Sequence, residues 1–144
     1  MLLETTYGKP IHYNKSKQIV GKTFSLYKIM KIGGSTSKRF FIQSSNLNIG
    51  FDKEIQSDLD SAIIEMRKSG IVVHINIKVR NFEWFIPYYR LVLYHTDQVF
   101  SIHSQGFYLQ FDQYKASLQH SQFVRKLMQQ KQEYRNEYSF IDDL

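Results

Sequence analysis

Cysteine is absent from the 144 residues, which removes disulfides, thiolate metal sites and cysteine nucleophiles together. Proline occurs only at positions 10 and 87, and no Pro- or Ser-rich linker divides the chain. No apolar run approaches the roughly 20 residues of a membrane span. The opening MLLETTYGKP carries Glu4 and does not read as a signal peptide. These absences point to a single cytoplasmic domain over 1–144, in which the sequon Asn14-Lys15-Ser16 has no meaning.

Catalytic signatures are missing as well. No serine lies in a G-x-S-x-G elbow and no carboxylates pair at a defined spacing. Gly33-Gly34-Ser35-Thr36-Ser37-Lys38 lacks the GxxxxGK[ST] spacing and leads into β-branched and aromatic residues, so it is not a phosphate loop. The histidines at 12, 74, 95, 103 and 120 contain no i, i+4 pair. No metal and no cofactor are expected.

What is present is an ordinary globular composition, 42% hydrophobic and 22% charged, with a strong charge asymmetry. A chain of this size buries about two-thirds of its unfolded surface, enough for a core. Residues 1–50 hold eight basic side chains against Glu4 alone, a balance of +7. Residues 51–112 hold six basic and eight acidic groups, giving −2. The basicity therefore belongs to the first third, through Lys22, Lys28, Lys31, Lys38 and Arg39 among others. Such a stretch is either a solvated face or an attraction for nucleic acid, an acidic protein or lipid headgroups.

The pattern along the chain predicts an α+β domain. Residues 1–18 read as an irregular arm. KTFSLYKIMKI (22–32) alternates Phe24, Leu26, Met30 and Ile32 on one face and reads as a strand, turning through GGSTSKR into RFFIQ. DKEIQSDLDSAIIEMRKSG places Ile55, Leu59, Ala62, Ile63 and Met66 at helical spacing, so a helix is expected over 52–69. IVVHINIKVR (71–80) alternates as a strand, with His74, Asn76, Lys78 and Arg80 on its polar face. NFEWFIP (81–87) reads as a loop, and a β-meander follows.

A turn centred on Thr96-Asp97 would pair Leu93 with Phe100, Leu91 with Ile102 and Arg90 with His103. A second at Gln105-Gly106 would pair Phe100 with Phe111, Ile102 with Leu109 and His103 with Tyr108. A helix over about 115–135 ends the domain, packing through Leu118, Phe123, Val124 and Leu127, and 136–144 reads as a frayed tail. The whole is an antiparallel sheet of about five or six strands, with one helix after the first hairpin and a C-terminal helix on the sheet. This order resembles that of profilin-like, longin and roadblock domains, at the level of architecture alone.

Three functions fit these residues. A non-enzymatic protein-interaction or scaffold module, a subunit of a larger cytoplasmic assembly, would use Trp84, Phe82 and Phe85 as anchors beside Lys78, Arg80, Arg90, His103 and Tyr108. The ordinary role of a single Trp is instead a lid on the core. A nucleic-acid binder would use the same basic and aromatic residues against backbone phosphates, although no RNP-type motif is present. A small enzyme or ligand-binder would need Arg90, His103 and Tyr108 in one cross-strand row. An anionic membrane surface is a further partner class for the basic third.

Overall fold

A computed structural model of the chain describes residues 1–6, 17–52, 60–96, 99–112 and 118–142. Its strands are β1 (Leu2–Glu4), β2 (Phe40–Ser45), β3 (Ser61–Met66), β4 (Gly70–Ile77), β5 (Arg80–Pro87), β6 (Val92–His95), β7 (Val99–Ser104) and β8 (Phe107–Asp112). They form one eight-stranded antiparallel sheet in the order β1-β5-β4-β3-β2-β8-β7-β6, larger than the five or six strands expected. A short helix α1 (Leu26–Ile32) precedes β2, and a long helix α2 (Leu118–Asp142) ends the described chain. The expected arm therefore contributes an edge strand, pairing Leu2 with Trp84, and α2 runs into the segment read as a frayed tail.

Three segments differ from the sequence expectation, and each has a physical reason. The 22–32 stretch is helical over Leu26–Ile32. Its termini carry the signals: Ser25 accepts a hydrogen bond from the Lys28 amide at 3.2 Å, and Gly33 caps the end at φ 79°. The Gly34 amide reaches back to the Ile29 carbonyl at 2.9 Å, closing the last turn.

The helix expected over 52–69 is replaced, where it is described, by strand β3; residues 53–59 lie outside the described residues. Ala62, Ile64 and Met66 fit period 2 as well as 3.6, and pairing with Ile75, Val73 and Ile71 of β4 decides between the two. The 81–87 loop is strand β5, paired with β4 along its full length, Val73 to Trp84 and Ile75 to Phe82. Gly70 begins β4 where a Cβ would meet the Ile86 carbonyl oxygen at 2.3 Å, so the two strands close up only because no side chain is there.

β2 joins the two halves of the sheet. Phe40 and Phe41 pair with β3, while Ile42, Ser44 and Ser45 pair with β8, with a register shift between Ile42 and Ser44. The inward side chains form one core that runs across both halves, from Ile75 and Trp84 through Phe40 and Ile64 to Phe100 and Leu109. Phe123, Val124 and Leu127 of α2 complete it. At the junction, Phe40 lies 5.1 Å from Phe111, 5.5 Å from Phe100 and stacks on the His120 ring of α2 at 4.3 Å. A second, smaller cluster on the opposite face buries Val20, Val72 and Phe85 with Leu3 and Ile19.

Candidate interaction surface

The aromatic anchors expected in the 81–87 segment belong to the interior. Phe82 and Trp84 point into the main core, each 4% exposed, and Phe85 is buried in the smaller cluster. Burying each ring contributes about 2–3 kcal/mol to folding and leaves it unavailable for surface contact. The basic candidates are dispersed. Lys78 occupies the β4–β5 turn in the left-handed region at φ 56°. Arg80 grips Glu4 of β1 through Nε at 3.0 Å and Nη2 at 2.9 Å and lies over the Phe82 ring. That grip holds the Glu4 carboxyl down at about 2. Arg90 lies in a turn of 3-10 helix, Tyr88–Arg90, over the ring of Tyr89.

The expected cross-strand row is therefore corrected. The second hairpin has the expected register, His103 facing Tyr108 and Phe100 facing Phe111. The first is shifted by two residues, so that His103 faces Val92 and not Arg90, and Phe100 faces His95. A two-residue shift keeps every side chain on its face, which is why the alternation alone did not distinguish the two pairings. Residues 97 and 98 at the turn lie outside the described residues.

The outward face of β3–β4–β5 is closed by its own contacts. Glu65 accepts from Arg67 Nε and meets His74 Nε2 at 3.1 Å, while His74 Nδ1 lies 3.7 Å from Glu83. Burial pushes the Glu65 carboxyl up, but the hydrogen bonds from His74 and Arg67 outweigh it and hold the group below the usual carboxylate range. Next to this network, Val72 and Phe85 are covered by Val20. A shallow hollow of about 310 Å³ beside it is bordered by Arg39, Ile63, His74, Asn76 and Asn81, a mixed lining with no convergent acid–base pair.

The outward face of β6–β7–β8 is different. Tyr94 of β6 meets the His103 ring edge-on at 4.8 Å, and His103 stacks on Tyr108 at 5.8 Å. The Tyr108 hydroxyl lies 3.0 Å from Ser44 Oγ, and Gln110 donates to Gln43 at 2.7 Å. Val92 and Tyr94 are 47% and 57% exposed. β6 is the last strand of the sheet, and no described strand pairs with its outer edge. Its sequence, Val-Leu-Tyr-His, contains no Lys, Arg, Asp, Glu or Pro. Tyr89, 69% exposed under Arg90, lies just before it.

Chemistry has little to work with here. His103 Nε2 and Ser101 Oγ lie 2.9 Å apart, a nucleophile–base spacing. The hollow beside His74 and another beside Lys28 and Tyr134 do not include them. Among the described residues no three His, Asp or Glu side chains converge as metal ligands. The exposed side chains of the basic third, Lys22, Lys31, Lys38 and Arg39, lie on α1 and the segments flanking it, and Lys28 is half-buried over the Phe24 ring.

Comparison with known proteins gives no match to a family model, a curated protein or a solved structure. Two surface features go beyond the expectations from sequence: the open β6 edge and the exposed apolar side of α1. The signals for the second are Ser25 and Gly33, which flank the seven residues of the helix they cap.

Proposed function

We propose that the chain is a non-enzymatic protein-interaction module, a subunit of a larger assembly, that receives an extended polypeptide segment along β6. The observation that carries this reading is an uncharged, proline-free edge strand with exposed Val92 and Tyr94. Sheet edges left open to solvent are ordinarily blunted by charge, proline or a bulge. An added strand would gain backbone hydrogen bonds from β6, while its alternate side chains rest on Val92, Tyr94 and the His103–Tyr108 stack. Tyr89 with Arg90 at the start of β6 would supply an aromatic and cationic anchor.

A photoreactive amino acid at position 94 tests the reading against the same group at Ile63, which is exposed on the closed half. In the source cell, position 94 should give a discrete adduct that position 63 does not. Equal labelling from both positions, or an adduct from position 63 alone, refutes the assignment.

Binding to nucleic acid is the second reading, supported by exposed Lys22, Lys31, Lys38 and Arg39. It requires an affinity that falls with salt, with a log–log slope of several units. Failure to bind DNA or RNA at low salt removes it.

A further inference from the structure

α1 shows a surface that the β6 reading does not use. Leu26, Tyr27 and Met30 are 74%, 76% and 75% exposed, although each is among the larger apolar side chains of the molecule. At 100° per residue they fall within a sector of about 100°, with Met30 between Leu26 and Tyr27. Ile32, on the other side of the helix, packs against the core. Lys31 follows Tyr27 around the helix by about 40°, so a cation borders the apolar sector.

The charge around this knob is of one sign over a long stretch. Between Glu4 and Asp52 the sequence contains no carboxylate, and Lys22, Lys28 and Lys31 fall within or beside α1. The fold adds cations from elsewhere in the chain. The Lys68 amide donates to the Lys22 carbonyl at 3.3 Å, which brings the β3–β4 turn alongside. The Lys126 ammonium of α2 donates to the Gly33 carbonyl at 3.0 Å, at the end of α1. Glu133 is a carboxylate near this group; it borders a hollow of about 300 Å³ with Lys28, Lys68 and Tyr134.

We infer that α1 is a membrane-docking element that inserts Leu26, Tyr27 and Met30 into an anionic lipid surface, with Lys22 and Lys31 against the headgroups. The shape selects lipid over an acidic protein. Three side chains on one short, protruding helix make a knob, far below the roughly 800 Å² per partner of a stable protein interface. A bilayer interface accepts such a knob, taking the apolar side chains into the acyl boundary while the lysines meet anionic headgroups. Tyrosine at the rim suits the headgroup level. No described helix is long and apolar enough to cross a membrane, so the contact is with the surface.

Sedimentation with vesicles tests this. The protein should pellet with phosphatidylcholine vesicles containing phosphatidylserine and not with phosphatidylcholine alone. The double variant Leu26→Ser/Met30→Ser should lower the partition at least tenfold, and Lys22→Gln or Lys31→Gln roughly fivefold each. Tyr94→Glu, on the β6 surface, should leave it unchanged, which separates this inference from the previous one. Circular dichroism checks that the double variant folds. Independently, Leu26→Trp emission should shift to the blue on adding anionic vesicles. The inference is overturned if the wild-type protein stays in the supernatant at low salt, or if the Leu26→Trp emission does not move. It is equally overturned if polyglutamate or DNA binds as tightly as the vesicles and the double variant retains full vesicle binding.

Discussion

On β3–β4–β5 the outward polar side chains turn to one another: Arg67 to Glu65, Glu65 to His74, His74 to Glu83. On β6–β7–β8 the outward side chains from Val92 and Tyr94 to Tyr108 and Gln110 include no Lys, Arg, Asp or Glu before Asp112 at the end of β8, and no described strand pairs with the outer edge of β6. Both faces belong to one sheet and lie over one core, so the contrast does not come from the fold. It comes from which residues occupy the outward positions and from what covers them. A face that satisfies its own charges offers a partner little, because any new contact must first break an existing pair. A face of rings, hydroxyls and amides beside unpaired backbone offers contact area and hydrogen bonds at a small desolvation cost.

The largest expected effect lies in the closed half. Trp84→Ala removes a ring from the core between β4 and β5 and should cost about 3–5 kcal/mol, read as a lower urea midpoint. A loss below about 1 kcal/mol would mean that the ring is not packed as described. Arg67→Ala comes next, at about 2 kcal/mol, because it leaves the half-buried Glu65 with only His74. The same network fixes an acid limb. Glu65 has a folded pKa below its ordinary value of about 4.3. Its contribution is therefore complete above that value and disappears as pH falls through the lowered one. Urea unfolding as a function of pH should show a shallower acid limb in Glu65→Gln.

At the junction of the halves the effect is smaller. Burial, with Lys38 adding to it, lowers the His120 pKa, and the Arg39 backbone opposes the shift. The unfolded chain then takes up the proton first, so stability should be complete above about pH 6.5 and decline as the pH falls through the lowered folded value. His120→Phe keeps a ring against Phe40 and should flatten that decline; an unchanged slope would exclude His120 as its source. The smallest stability effect belongs to the open half. Tyr94→Glu should change the unfolding free energy by no more than about 0.5 kcal/mol while lowering partner binding at least tenfold. If stability instead falls as it does for Trp84→Ala, the two halves are not different in kind.

Legibility in the sequence followed the same division. The β7–β8 hairpin was readable because Gln105-Gly106 fixed a two-residue turn between strands whose apolar positions alternate. The β6–β7 register was not, since a two-residue shift leaves the faces unchanged and replaces Arg90 with Val92 opposite His103. β3 was concealed by Ile55, Leu59 and Ala62, a spacing that also suits a helix, and only its pairing with β4 separates the alternatives. From the sequence β5 reads as a loop, with three aromatic residues close together before Pro87. In the structure their alternation sends Phe82 and Trp84 to one face and Phe85 to the other. α1 reads as a strand when the alternate apolar residues are weighed alone, and the caps at Ser25 and Gly33 mark it as a helix. The candidate site was legible in part: His103 and Tyr108 are neighbours, whereas Lys78, Arg80 and Arg90 are parted from them by sheet position and local pairing.

Amide hydrogen exchange, compared with and without the partner captured through position 94, tests the central claim most directly. Binding should slow exchange at residues 92–95 and in β7, and leave β3–β4–β5 unchanged. Slowing confined to β3–β4–β5, with β6 unaffected, would contradict the account.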